Sequence, residues 1–523
     1  MAIIDFFDRG VSIAPDADYL VAGSRRFTYR EVHALSCRIA NGLLATGLPI
    51  STAAAVWSPN DPVGWQCTLG IWRAGFAWSP VNPRSPVDEI IRQLDAFDCR
   101  ILFFHSSFES HIAAVAQRLP GLRLLVCIDA PVSGKDKKLA GLAEWAEAQS
   151  AQAPDVRPPM DAVCAVTPTG GTTGRPKGVM QTHRSFQTMV ANWLSVLVYG
   201  AGERPVNLAA APITHTAGIF SLMASARGGT LVILPRPEPA SLLDAIEEHR
   251  ISELFLPPTV IYALLDLPGL AERDLRSLRY LLYGAAPMSP GKLRQALSAF
   301  GPVLIQGFGQ SEAPAGIACL EPTDHFVDGR VAGDSRLSSC GRPFPFTRVS
   351  IRDDVGQACP SGAIGEICVA GDIVMKGYYA DPERTAEVLK DGWLHTGDLG
   401  FLDAEGYLHI TDRKKDMIIS GGFNIYSAEV EAVINGLDGV RECAVIGIPD
   451  EKWGEAVMAI VELSPGQTLS ADDIIAACKA RLDGVRSPKM VRFLPSLPRS
   501  TAGKVLKTDL REPYWAGVAR PVA

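Results

Sequence analysis

No two cysteines of this chain stand in C-x-x-C spacing, although there are eleven of them. That absence speaks against a zinc site. The odd, scattered set also speaks against a disulfide framework and for a reducing, cytoplasmic compartment. Excess positive charge is missing as well. Lys and Arg number 50 against 57 Asp and Glu, a net charge of −7, which argues against a nucleic-acid binder because such proteins need a basic surface to displace counterions. There is no long apolar run. The longest stretch free of Asp, Glu, Lys and Arg, residues 205–226, carries Pro205, Asn207, Pro212, His215 and Gly218, and reads as strand, loop and helix rather than a transmembrane span. Asp5 and Asp8 fall where a secretory signal would need apolar residues, so no signal peptide is expected.

What is present is a soluble globular composition, 47% hydrophobic and 20% charged, over 523 residues, too long for one core. Val32, Leu35, Ile39, Leu43 and Leu44 recur at helical spacing over residues 28–45, behind a capping box of Thr28 and Glu31. Apolar runs at 53–57, 76–81, 101–104 and 122–128 alternate with helical segments, which predicts parallel strands with crossover helices. Strand-like runs recur at 206–211, 230–234, 253–256, 280–283 and 303–305. Residues 131–159 lack this apolar density and are assigned no function. Beyond about residue 341 short glycine-punctuated runs predict a β-rich subdomain, and after the charged string D-R-K-K-D at 412–416 a small α+β unit follows.

One stretch is unlike packing sequence: residues 166–180, V-T-P-T-G-G-T-T-G-R-P-K-G-V-M. Gly170, Gly171 and Gly174 let a ligand approach the main chain, the hydroxyls of Thr169, Thr172 and Thr173 add donors, and Lys177 adds fixed positive charge. These are the parts of a phosphate cradle. Apolar residues before it predict a strand, and the polar segment after His183 a helix. The Walker spacing is absent, since Gly178 rather than Ser or Thr follows Lys177.

The string T-G-G-T-T-G-R-P-K-G closely resembles the nucleotide-phosphate loop of the acyl-adenylate-forming superfamily, and the resemblance extends in order from about Thr28 to Lys504. It implies an α/β protein with a large N-terminal domain, residues 1–411, made of α/β subdomains plus a β-rich subdomain. A hinge at 412–416 and a small mobile α+β C-terminal domain, residues 417–523, would follow.

The same resemblance implies a site. Residues 211–218, A-P-I-T-H-T-A-G, border the acyl group, with His215, Ala217 and Gly218 as candidates. Y-G-A-A-P (Tyr283, Gly284, Ala285, Ala286) and Q-G-F-G-Q-S-E (Gly307, Phe308, Gly309, Ser311) flank adenine and the acyl chain; Phe308 and Ser311 replace the commoner Tyr and Thr, so a phenol hydroxyl is lost. Glu312, with Thr169, is the candidate for holding Mg2+. Within W-L-H-T-G-D-L-G, Asp398 can accept from both ribose hydroxyls, and Arg413 can add a charged contact to the nucleotide. Lys415 matches the hinge position. Gly421 and Gly422 would let a pantetheine arm pass, and Ser427 stands where Pro is commoner, a change expected to cost rigidity rather than chemistry. Lys504, in P-R-S-T-A-G-K, matches the adenylation lysine, so Lys504, Glu312, Lys177 and His215 form the expected catalytic set.

The implied activity is a two-step acid–thiol ligation with ATP, Mg2+ and coenzyme A: acyl adenylate first, acyl-CoA after the hinge turns. No Asp for an amino-acid amine stands near residue 215 and the chain ends shortly after Lys504, so free coenzyme A is expected over an acyl carrier protein, which is the alternative acceptor. No Arg or Lys lies in the three pocket strings, favouring a hydrophobic monocarboxylic acid over a dicarboxylate.

Overall fold

In the computed structural model, which describes residues 1–132, 138–169, 176–213, 216–236, 238–499 and 505–516, the Thr28 capping box opens a helix over Tyr29–Leu44. Thr28 N–H donates to Glu31 at 2.8 Å and Glu31 N–H to Thr28 Oγ1 at 3.2 Å. The chain divides into two units, Met1–Arg348 with Val369–Leu394, and Val349–Cys368 with His395–Ala523.

The first unit is built on two mixed sheets. In the eight-stranded sheet, the central strands Ala53–Trp57, Ala77–Pro80, Ile101–Phe104 and Leu124–Cys127 run parallel, as their continuous apolar runs require when both faces are covered. In the nine-stranded sheet the parallel strands are Val206–Ala209, Thr230–Ile233, Glu253–Leu256, Tyr280–Gly284 and Leu304–Gln310. Leu254, Leu281 and Leu304 pack there with Leu242 and Ile246 of the helix Pro239–His249. Residues 205–226 contain a strand and the helix Thr216–Ser225, and no described helix is long and apolar enough to cross a membrane.

The strand expected before the glycine-rich stretch is Val163–Thr169 and the helix expected after it is His183–Val196, with a further strand, Lys177–Thr182, between them that pairs antiparallel with Val163–Thr169. Within residues 131–159, assigned no function, lie a short strand at Leu139–Gly141 and a helix at Leu142–Glu147. Neither has the length or period that a sequence pattern needs.

In the second unit, the strands Val440–Asp450 and Gly454–Leu463 form a long antiparallel pair with apolar residues on both faces. Cys443, Val445, Val457, Ala459 and Val461 face one core with Ile434 and Ile474, while Ala444, Ile446, Met458 and Ile460 face another with Leu497 and Leu510. Period two along each strand therefore sends alternate side chains to helices Ser427–Asn435 and Ala471–Arg481 on one face, and to Lys507–Trp515 on the other.

Candidate active site

In the first unit the loop residues are framed by the register of their hairpin, where Thr169 pairs with Lys177. Gly170, Gly171, Thr172, Thr173 and Gly174 lie outside the described residues, as do His215 and Lys504. The neighbouring strand Gly377–Tyr378 pairs antiparallel with Lys177–Thr182 and brings Tyr378 to the mouth of the hairpin. There the Lys177 ammonium stands 5.4 Å from the centre of the Tyr378 ring, and the Tyr378 hydroxyl donates to Glu312 Oε1 at 2.8 Å. Burial first, and then the negative charge of Glu312, pushes the Tyr378 phenol well above its usual value, so it stays a neutral donor.

Ser311 and Glu312 sit at the turn between Leu304–Gln310 and Ala313–Leu320, an antiparallel hairpin whose register slips between Phe308 and Gln310. The turn is held by two neighbours: Gln181 donates to the Ser311 carbonyl, and Met375 N–H donates to the Glu312 carbonyl at 2.8 Å. Ser185 Oγ orients the Gln181 amide through its oxygen at 2.7 Å. Tyr378 and Gln181 are site residues that sequence reasoning missed, because their relation to Glu312 exists only through strand pairing.

Next door, Gly284 pairs with Gly307, and a Cβ at Gly284 would lie 2.5 Å from the Gly307 carbonyl oxygen. Ala285 has φ 66°, a strained left-handed conformation for a residue with a side chain, and it is exposed with Ala286 at the strand's exit. The other small residues divide by role. A Cβ on Gly307 would meet Trp193 at 2.7 Å, and one on Gly309 would meet the Ala315 backbone at 2.5 Å. Gly218 packs against Ile213 O and Trp65, Ala217 is buried beside it, and Tyr283 is buried in the sheet core with its hydroxyl 3.2 Å from His325 Nε2.

In the second unit Asp398 and Arg413 face each other across paired strands, with Arg413 Nε 3.6 Å from Asp398 Oδ1. The turn before Asp398 is held by Glu366, a residue read from sequence only as part of a strand. Glu366 accepts from Gly397 N–H at 3.1 Å and from Lys414 at 3.3 Å, and lies 3.1 Å from His395 Nδ1. Burial raises its carboxyl, but these partners outweigh burial and hold it below the usual range. Gly397, at φ 73°, makes the sharp turn. Lys415 is exposed, and its carbonyl accepts from Arg511 at 3.2 Å. Gly421 and Gly422 have φ 59° and 82°; Trp453 lies 2.6 Å from where a Gly421 Cβ would be, whereas Gly422 faces open space.

Among the described residues no three His, Cys, Asp or Glu side chains gather into a metal cage. A single part-buried carboxylate with one oxygen tied to Tyr378 suits Mg2+, which keeps several waters and takes one or two protein oxygens beside phosphate.

Comparison with known proteins identifies the family and the fold. Residues 7–379 match the family described as AMP-binding enzyme, and residues 429–504 match the AMP-binding enzyme C-terminal domain. Over 512 residues the chain is 36% identical to a feruloyl-CoA synthase of an Amycolatopsis species, covering 97% of this chain and 98% of that protein. It is 32% identical over 518 residues to the fatty acid–acyl-carrier-protein ligase ScoC of Streptomyces coeruleorubidus, covering 97% and 95%. ATP-bound MatB from Rhodopseudomonas palustris matches with a TM-score of 0.87 at 28% identity, over 99% of this chain and 100% of that one. A large α/β domain with a β-rich subdomain, followed by a small α+β domain, is the architecture they share.

Proposed function

This chain belongs to the AMP-binding enzymes, a family of AMP-forming acid–CoA ligases, and on that premise we propose that it joins a hydrophobic monocarboxylic acid to coenzyme A at the expense of ATP. The observation that carries the reading is the convergence of Lys177 and Glu312 on Tyr378 beside the glycine-rich loop. A cation and an anion at one phenol suit the two halves of a metal-bound triphosphate. The feruloyl-CoA synthase relative supports a thioester product, and the ATP-bound relative supports the nucleotide.

In the first step a carboxylate oxygen attacks the α-phosphorus of ATP, the bond to the bridging oxygen breaks, and pyrophosphate leaves with its electron pair. Two anions must meet, so positioning and charge stabilisation carry the catalysis. One positive charge at ~4 Å and an effective dielectric of ~20 is worth roughly 4 kcal/mol before desolvation. Lys177 supplies such a charge from the loop and Lys504 from the C-terminal domain. Glu312, with Thr169, would hold Mg2+, which neutralises phosphate charge. Asp398 accepts from the ribose hydroxyls, and Arg413 sets the Asp398 carboxylate and adds its own charge to the nucleotide. The strained exit at Gly284, Ala285 and Ala286 exposes backbone for adenine, flanked by Phe308. In the second step the hinge at 412–416 turns, Lys504 withdraws, and a thiolate sulfur attacks the acyl carbonyl. The carbonyl–phosphate oxygen bond then breaks, and AMP leaves.

The test is AMP release across a panel of fatty, aromatic and dicarboxylic acids, with and without coenzyme A. Fastest release with a fatty or aromatic acid, and a coenzyme A ester as product, is expected. Faster turnover of malonate than of any such acid would overturn the substrate class. Adenylation with no coenzyme A ester would favour the second reading, loading of a separate carrier protein, which the similarity to ScoC supports.

A further inference from the structure

The hinge string is usually the kind of charge run that solvent covers, yet Asp412 and Asp416 are buried, only 6% and 7% exposed. Both are held by side chains that lie far along the chain. Asp412 accepts from the N–H and the hydroxyl of Ser427, the hydroxyl at 3.0 Å. Ser427 is the first residue of its helix, so the carboxylate also meets the positive end of that helix. Lys507 then closes the chain of contacts: its ammonium donates to Ser427 Oγ at 2.8 Å and pairs with Glu431 at 2.7 Å. Glu431 stands one turn after Ser427 on the same helix face, so one lysine spans both. Glu431 is itself fixed by Val445 N–H at 2.7 Å. At the other end of the string, Arg511, one turn after Lys507, pairs with Asp416 at 2.6 Å.

Two basic groups of the string, Lys414 and Arg413, point elsewhere. Lys414 bonds Glu366 and Asp354, and Arg413 faces Asp398, all on the strands and turns that precede the hinge. Asp412 itself lies in the strand Leu408–Arg413, paired with Leu399, so its carboxylate ties the C-terminal helices to the end of that strand.

We propose that Lys507 and Ser427 are positioning residues for the adenylation lysine, fixing the helix Lys507–Trp515 against Asp412, ahead of the hinge position Lys415, so that Lys504 is held in one setting of the hinge until this contact breaks. This rests on the two-state reading above. Lys504 lies three residues before Lys507, so its tether can span no more than about 10 Å from that anchor. A buried ion cluster is a poor source of stability, since desolvation offsets attraction, but it fixes direction because each donor has a defined acceptor. The charge balance agrees: burial alone would lower the Lys507 ammonium, and Glu431, Asp412 and Asp416 together hold it above its usual value. Ser427 is central. Proline, the residue expected there, has no N–H for Asp412 and no hydroxyl for Lys507, so the serine does chemical work that a rigid proline cannot.

The test separates the two half-reactions by single turnover: pyrophosphate release from ATP and acid without thiol, and thioester formation from preformed acyl adenylate. Ser427→Ala, which deletes one oxygen and leaves the N–H for Asp412, and Lys507→Gln are expected to slow the first about tenfold or more at unchanged KM for ATP and acid. The second should be retained, and Lys507→Arg should restore most of the first. Equal loss in both halves, or a change in KM instead of rate, overturns the proposal. So does no change in either variant while Lys504→Ala, run alongside, loses only adenylation. If Lys504→Ala itself shows no such selectivity, the two-state reading fails and the clamp falls with it.

Discussion

The hydroxyl of Tyr378 donates to Glu312 at 2.8 Å while the Lys177 ammonium stands 5.4 Å from the centre of the same ring, so one side chain touches both charged groups assigned to the triphosphate. Replacing it with Phe keeps the ring and removes only the donor. A hydrogen bond to a charged group is worth about 1.5 kcal/mol or more, so Tyr378→Phe should lower kcat/KM for ATP about tenfold. Initial rates at saturating acid measure it. An unchanged kcat/KM would remove Tyr378 from the site.

Gly397 and Gly392 make a matched pair. Both have positive φ, 73° and 77°, and a Cβ on either would meet nothing within 4 Å, so alanine at each imposes the same backbone strain of roughly 1–2 kcal/mol. Only Gly397 aims Asp398. Gly397→Ala should raise the KM for ATP several-fold, whereas Gly392→Ala should lower the melting temperature to a similar extent and leave KM alone. Equal KM values in the two variants would refute the role given to the Gly397 turn.

Gly307 is small because Trp193 is behind it. Trp193 is fully buried, its indole N–H donates to the Ala315 carbonyl at 2.7 Å, and the rings of Phe220, edge-on at 76°, and Phe344, tilted at 60°, are each centred 5.2 Å from its own. The added methyl of Gly307→Ala overpacks this cluster at a cost of about 1–3 kcal/mol. Thermal unfolding should shift down by several degrees, and Trp193→Phe in the same chain should recover part of the loss. A double variant as unstable as the sum of the singles would show that the two sites are independent.

His183 makes the stability of the first unit sensitive to acid. Its Nδ1 accepts from Ile3 N–H at 3.2 Å, which leaves Nε2 carrying the proton in a buried position without a partner among the described residues. Burial, with help from the positive N-terminus, lowers its pKa to about 4. The unfolded chain binds a proton near 6.5 and the folded one does not. The contribution is thus fully present above 6.5 and is lost as pH falls from there towards 4. Melting temperatures measured between pH 7 and 4 should fall less steeply in His183→Asn, whose amide oxygen can take the Ile3 N–H without titrating. Parallel curves for the two proteins would show that other groups set the acid limit.

Where the sequence carried a local signal, it was legible. The Thr28 capping box and the alternation of apolar runs act over a few residues, and the elements they predict lie within a few residues of those observed, while the glycine-rich residues 170–174 lie outside the described residues. The strand Lys177–Thr182 was not legible. It exists because Val163–Thr169 and Gly377–Tyr378 pair with its two edges, and a six-residue run shows no period strong enough to reveal that. Ser427 was legible only in part. As a substitution for proline it reads as lost stiffness, and only its contacts with Asp412 and Lys507 show a gain of two hydrogen-bonding groups.

The stretch at 166–180, with the ordered motifs through Lys504, was enough by itself to reveal the family, because the resemblance rests on residue types in a fixed order. Tertiary structure alone decided which side chains meet: Tyr378 with Glu312, Glu366 with the Gly397 turn, Lys507 with the hinge. Those contacts join residues far apart in the chain, and they depend on strand register and helix docking, which are set by burial across whole sheets rather than by any local pattern.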